Sequence, residues 1–423
     1  MSVTRFRNAV SPLRRSIAVE PVAATSVDAV IAADHPDVPV HCLRPAVLAT
    51  TARQFTDDFP GTVMYAVKCN PEPGVLRALW EGGVRHFDCA SANEIALVRS
   101  MFADAAIHFM HPIKARSAIR AAYFDAGVRD FVIDSADELA KILVETGNAT
   151  DLGIIVRLAL PAGGAAIDMS GKFGADTETA AALLRTARPL AVRLGVSFHV
   201  GSQCLDPLAY GRAMQVAGAA IRAASVAVDI VDIGGGFPVS YPDITPPPLG
   251  AFIAAIDAGF AALGLPETVE LWAEPGRALV AAGGSVVVQV QARRGEWLYL
   301  NDGVFGSLSD AGALGFRFPA RLVRPGGLSQ ANLQPFSFFG PTCDSADAMA
   351  GPFWLPADIG EGDWIELGQL GAYGFCLRTA FNGFDRARIV EVIDAPLLQT
   401  PGYTVSAIKN PNDISPPGSF QVA

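Results

Sequence analysis

Lys68 closes a short apolar run, Val63-Met64-Tyr65-Ala66-Val67, just ahead of the turn Pro71-Glu72-Pro73-Gly74. Lysine is rarely fully buried without a partner. Such a lysine either snorkels to solvent from a strand end or is held where it forms a Schiff base with a carbonyl. Other groups with chemical potential end comparable runs. Gly234-Gly235-Gly236 either turns the chain tightly or lets backbone N–H groups crowd an anion. Arg277, after Glu274-Pro275-Gly276, would add a cation to that loop, a pairing suited to phosphate. Glu274 has apolar neighbours and needs a partner, either an arginine or a heterocyclic N–H. His199, between Phe198 and Val200, is either a satisfied core histidine or a ring laid flat on a cofactor. Lysine for a Schiff base, carboxylate for a ring nitrogen, and glycines with arginine for a phosphate are what pyridoxal phosphate requires. No GxGxxG follows a first strand, which disfavours a dinucleotide.

These residues need elements to bring them together. Besides the Lys68 run, apolar runs span residues 84–91, 107–112, 128–135, 152–160, 196–202, 228–236 and 270–277. They are short, mostly β-branched or aromatic, and end in Gly, Ser, Pro or Asn, the pattern of a buried strand followed by a loop. Helix-like stretches lie between them at 75–80, 92–101, 115–126, 137–146, 177–194, 208–224 and 249–263. Ser135-Ala136-Asp137-Glu138 has the capping-box form. Eight strands alternating with helices predict an α/β fold, a (β/α)8 TIM-like barrel, with its site at the C-terminal strand ends. Lys68, Asp88, Arg157, His199, the glycines and Glu274 all fall at or near such ends, and that shared placement favours the Schiff-base reading of Lys68.

After Arg277 the pattern changes to short alternating runs at 285–291, 296–300 and 364–367, separated by Gly and Pro. We therefore expect a partly flexible N-terminal segment at 1–36 that can add to the β domain, a barrel at 37–278 and a C-terminal β domain at 279–423. Apolar residues make up 51% of the chain and charged ones 17%, which argues against disorder. A net charge of −10 makes nucleic acid an unsuitable partner. No apolar run reaches membrane-span length. The six cysteines form no CxxC pair, which points to a reducing cytoplasm and to no zinc site. Residues 1–19 hold four arginines and no acid; a transit peptide has that look, but an ordinary flexible terminus is preferred.

Longer motifs extend the picture: Tyr65-Ala66-Val67-Lys68-Cys69-Asn70, Phe87-Asp88-Cys89-Ala90-Ser91, His199-Val200-Gly201-Ser202-Gln203, Asp232-Ile233-Gly234-Gly235-Gly236-Phe237-Pro238, Glu274-Pro275-Gly276-Arg277, Asn301-Asp302-Gly303-Val304, Gly340-Pro341-Thr342-Cys343-Asp344, and Gly371-Ala372-Tyr373 followed by Phe381-Asn382-Gly383-Phe384. With these, the chain resembles the fold-type III pyridoxal-phosphate decarboxylases, most nearly the ornithine and bacterial lysine/ornithine branch, from about Pro45 to Phe384. The resemblance implies an alanine-racemase-like barrel plus a β domain, and a homodimer with shared active sites. It implies that Lys68 carries the cofactor, that His199 stacks on its ring and that Glu274 pairs with the ring nitrogen. Ser202, Gly235, Gly236, Arg277 and Tyr373 would hold the phosphate, with Asp88 and Arg157 also in contact with the cofactor. Cys343 and Asp344 would reach into the neighbouring subunit's site, Cys343 to return a proton to the α-carbon. Asp302 and Asp344 would grip a distal amine and Phe381 would line the site. The implied reaction is decarboxylation of ornithine or lysine to putrescine or cadaverine. Gln203 stands where some relatives carry glycine. The rival readings are a diaminopimelate decarboxylase, a cofactor-free regulator of the antizyme-inhibitor kind, and a racemase.

Overall fold

The computed structural model describes residues 25–161, 165–167 and 171–403. The arginine-rich residues 1–19 lie outside them. Eight parallel strands close a barrel: Thr62–Ala66, His86–Cys89, Ala106–Phe109, Asp130–Ile133, Gly153–Arg157, Arg193–Ser197, Ile230–Asp232 and Glu270–Ala273. Closure comes where Ala273 pairs with Val63. Alternation along each strand divides the side chains between two faces. Met64, Val132, Ile155, Ile230 and Trp272 pack together with Met110 as one cluster. Val63, Tyr65, Phe87, Phe109, Phe131 and Ile154 belong to a second, larger cluster with helix residues such as Leu76, Val98 and Leu184. Both faces are thus covered, which is why the strands read as continuous apolar runs.

Four helices begin at side-chain caps, supplied by Ser26, Ser91, Ser135 and Asp176. Ser91 and Ser135 accept hydrogen bonds from the third residue of Ala92–Met101 and Ala136–Glu145. Glu138 does not reach back to complete a capping box; its carboxylate is taken by Lys114 at 3.0 Å and Lys141 at 2.6 Å. The helix expected over 177–194 stops at Ala187, because Pro189 follows in a tight turn and Arg193 already opens the next barrel strand. Two helices, Val27–Asp34 and Pro45–Asp58, had no counterpart in the sequence reading.

The second sheet has eight strands, most of them from residues beyond 283. One comes from the N-terminal side. Val40–Leu43 pairs antiparallel with Gly284–Val287 and parallel with Arg388–Glu391. The barrel boundary expected at residue 37 is therefore corrected. Val40 and Cys42 pack with Val287, Trp364 and Val390, and with Val27, Val30 and Ile31 of the first helix. Buried Arg44 marks the crossing between domains, bonded to Ser285 at 3.0 Å, Glu366 at 3.0 Å and Asp394 at 3.1 Å. The β domain also touches the barrel mouth, where Asn70 Nδ2 donates to Gly371 O at 2.7 Å and Tyr373 N donates to Cys69 O at 2.9 Å.

Candidate active site

Beyond Ala66 the chain makes a single 3-10 turn, Val67–Cys69, that lifts Lys68 over the barrel mouth. Asn70 fixes this turn: its carbonyl accepts from the Tyr65 hydroxyl at 3.0 Å and its Oδ1 from Glu72 N at 3.1 Å. Lys68 Nζ donates to Asp88 Oδ2 at 2.6 Å. The lysine side chain is 38% exposed, but the carboxylate it meets is 1% exposed. This ammonium is therefore not a surface group in water. Burial opposes its charge, and the carboxylates of Asp88 and Glu274 outweigh that, so its pKa stands above the usual lysine value. Asp88 Oδ1 is buried with no partner.

The glycine loop leaves the strand Ile230–Asp232. Gly234 holds a left-handed φ of +67°, its N–H donates to Asp232 Oδ1 at 2.9 Å, and its carbonyl accepts from Glu274 N at 2.8 Å. A methyl on Gly235 would sit 2.6 Å from the Glu274 carbonyl oxygen and 3.3 Å from His199 Nε2. Gly236, at φ +102°, has no room for one beside Gly201 O. These glycines form a cradle that any side chain would fill. His199 Nδ1 accepts from Gly201 N at 3.0 Å, which places the ring proton on Nε2. Burial, then the charges of Arg157 and Lys68, push the His199 pKa down to about 3, so the ring is neutral near pH 7.

Glu274 is buried, and burial together with Asp232 and Asp88 raises its pKa well above the ordinary carboxyl range. Asp232, fully buried, is also raised, to about 6, chiefly by burial. Two acids so placed hold a proton between them near neutral pH. In sequence the signal for Asp232 is its place two residues before Gly234. The alternative of a Glu274–Arg277 ion pair does not form. Arg277 pairs with Asp310 at 2.9 Å and donates to the Tyr241 hydroxyl at 2.8 Å. Tyr373 lies against that guanidinium, 5.0 Å from ring centre to Cζ. Arg157 ends its barrel strand, 5.9 Å from the ring centre of Phe173. Ser202 opens a short strand that pairs with Ala165–Ile167 beside the mouth. Gln203 sits at φ +57°, the left-handed region that favours glycine, and its side chain grips the backbone of Val239 through both N and O.

Asp302 lines a small cavity of the β domain together with Phe305, Thr342 and Phe381. Its Oδ1 accepts from Gly303 N at 2.9 Å and Ser307 N at 3.1 Å, and its Oδ2 from Arg378 at 2.6 Å. At 2% exposure it closes its own loop and neutralises a buried arginine. We therefore expect Asp302→Ala to destabilise the fold by about 3–5 kcal/mol, the scale of removing one partner from a buried ion pair. Urea unfolding checks this; an unchanged midpoint with a raised KM would return Asp302 to the substrate site. Cys343 and Asp344 stand exposed on the β domain. Asn382 Oδ1 meets both the amide and the thiol of Cys343, at 3.1 and 3.2 Å. Asp344 accepts from Ala346 N at 2.9 Å. Phe381, 40% exposed, leans on Phe305 at 5.1 Å. Among the described residues no hydrogen bond or ion pair joins this cluster to the Lys68 group.

The buried Arg277 Nε and Asp88 Oδ1 without partners, beside the glycine cradle, fit a ligand that is both a phosphate and a cation-bearing ring. A barrel whose mouth is arranged in this way defines an enzyme dependent on pyridoxal phosphate. Comparison with known proteins narrows the class. Residues 46–281 match the family described as pyridoxal-dependent decarboxylase, pyridoxal binding domain. The lysine/ornithine decarboxylase of Selenomonas ruminantium is 33% identical over 343 residues, covering 79% of this chain and 84% of that protein. The arginine decarboxylase of Paramecium bursaria Chlorella virus superposes with a TM-score of 0.76 at 29% identity, over 86% of this chain and 99% of its own. The lysine/ornithine decarboxylase of Vibrio vulnificus, solved with cadaverine, gives 0.74 at 33% identity, over 87% and 98%. The chain belongs to the fold-type III pyridoxal-dependent decarboxylases, in the ornithine and lysine decarboxylase branch.

Proposed function

We propose that the protein releases CO2 from ornithine or lysine, using a site completed by a second copy of the chain. The observation that carries the reading is Lys68 at the barrel mouth, its ammonium 2.6 Å from buried Asp88. When bound, pyridoxal phosphate supplies the electron sink that lets the carboxylate leave. Lys68 Nζ is the group for its aldehyde, and Asp88 Oδ2 orients it by accepting its N–H at 2.6 Å. Glu274, kept partly protonated beside Asp232, holds a proton where a ring nitrogen needs one. Neutral His199 adds a flat surface without a competing charge. Gly235, Gly236, Ser202, Arg277 and Tyr373 bind the phosphate, and Arg157 balances the buried acids. Cys343 of the partner subunit returns a proton to the α-carbon, with Asp344 of the partner subunit binding the distal ammonium and Phe381 of the partner subunit walling the site. Exposed Phe381, Phe384 and Leu377, at 40%, 44% and 45%, supply apolar surface for that contact.

With Asp302 already paired to Arg378, charge selection for the substrate rests first on Asp344. An ammonium entering a cavity still needs one carboxylate to offset its lost hydration. The relatives support a basic substrate, since one solved structure holds cadaverine. No helix among the described residues is long and apolar enough to cross a membrane. The six cysteines are free, which suits a cytoplasmic enzyme. The test is CO2 release from L- and D-ornithine, lysine, arginine and diaminopimelate. We expect L-ornithine or L-lysine to lead in kcat/KM; a lead for diaminopimelate would overturn the assignment.

A further inference from the structure

The surroundings of Arg277 fix more than its position. Its side chain is 4% exposed. One terminal nitrogen donates to the Tyr241 hydroxyl and the other to Asp310 Oδ2. Tyr373 and Phe316 lie against it, with centroids 5.0 and 5.2 Å from Cζ. Nε, buried, has no acceptor. A planar guanidinium held at both terminal nitrogens has no freedom to swing, so its remaining N–H points one way. A buried donor without an acceptor is costly and is relieved by a bound anion.

The holders come from different parts of the fold. Tyr241 lies on the loop that also carries Gly234-Gly235-Gly236. Asp310 lies on a short turn of the β domain, Ser309–Ala311, whose carbonyl accepts from Phe316 N at 2.9 Å. The Arg277 group therefore joins barrel and β domain at the edge of the phosphate cradle.

We propose that Asp310, with Tyr241, is a positioning residue for phosphate recognition: it sets the Arg277 guanidinium so that Nε–H is presented to the cofactor phosphate. This rests on the reading of Arg277 as the phosphate-site cation. A second possibility, that Asp310 merely stands in for the phosphate and is displaced by it, makes the opposite prediction. In that case removing Asp310 would tighten phosphate binding.

The experiment strips the full-length enzyme of cofactor and titrates it separately with pyridoxal phosphate and with pyridoxal, which has the same aldehyde and no phosphate. Absorbance of the bound ligand gives each Kd, and their ratio measures phosphate selectivity. Asp310→Ala should cut that selectivity about tenfold, the scale of one charge-assisted hydrogen bond, and leave the pyridoxal Kd unchanged. Asp310→Asn, which keeps an oxygen acceptor, should retain most of the selectivity. Tyr241→Phe removes a single hydroxyl and should lower selectivity severalfold, which keeps the test intact if Asp310→Ala does not fold. Arg277→Ala is the control for the underlying reading. If it keeps full selectivity, Arg277 is not the phosphate cation and both ideas fall. If it loses selectivity while Asp310→Ala and Tyr241→Phe do not, the positioning role alone is wrong. Tighter phosphate binding, or an equal fall for both ligands, also overturns it.

Discussion

Lys68→Ala lowers CO2 release by about a thousandfold or more, the scale seen when a covalent group is removed from a site that otherwise survives. Borohydride reduction of the loaded wild-type enzyme should attach cofactor to Lys68 and to no other lysine. The rival is Lys114. Burial lowers its pKa to about 8, partly opposed by Glu138, so at neutral pH it would lose its proton more readily than Lys68. Position decides against it. Its side chain is 0% exposed, and its Nζ is spent on Glu138 and on the carbonyls of His111 and Val132 at 2.9 and 2.6 Å. Lys68 has the higher pKa but the open face, and Asp88 holds its Nζ in place at 2.6 Å. Peptide mapping that finds the label on Lys114, Lys141 or Lys172 would sink the assignment.

Mixing inactive Lys68→Ala with inactive Cys343→Ala protomers restores about one quarter of wild-type activity if copies exchange at random and each site draws on both chains. Half the dimers would then be mixed, and one of their two sites would carry both residues intact. The expectation comes from the distribution of groups in a single chain. Lys68, Asp88, His199 and Glu274 gather at the barrel mouth. Cys343 stands exposed on the β domain, oriented by Asn382. A thiol that protonates carbon must reach the reacting atom, and an exposed one reaches it through association. Absence of recovery after verified subunit exchange would show that each chain works alone.

The barrel was legible because burial on both faces leaves continuous apolar runs, and turn residues end them. Seven of the barrel strands fall at expected runs, Arg193–Ser197 begins three residues ahead of the run at 196–202, and Ala92–Met101 and Leu208–Ala224 have the expected limits. The lysine, the glycines, His199 and Glu274 were legible for a related reason: strand ends concentrate the polar residues that a barrel uses. Partnership across long separations was not legible. Val40–Leu43 is as apolar as a barrel strand, and only its pairing with Arg388–Glu391 places it elsewhere. Nor could residue type tell which way an acid faces. Asp302 and Asp310 lie eight positions apart on one stretch. One is spent on Arg378 and the other meets Arg277. Asp232 is not legible in sequence because its effect on Glu274 depends on shared burial.

Val40–Leu43 lies between strands contributed by two distant parts of the chain, so the barrel is in effect inserted into the sheet domain. On the ribosome the order of events then matters. The first sheet strand emerges early but cannot be flanked on both sides until Arg388–Glu391 follows, roughly 350 residues later. At about 5–20 residues per second that delay is roughly 20–70 s. During it the barrel can close by itself, while an unpaired apolar edge remains open to other nascent chains or to chaperones.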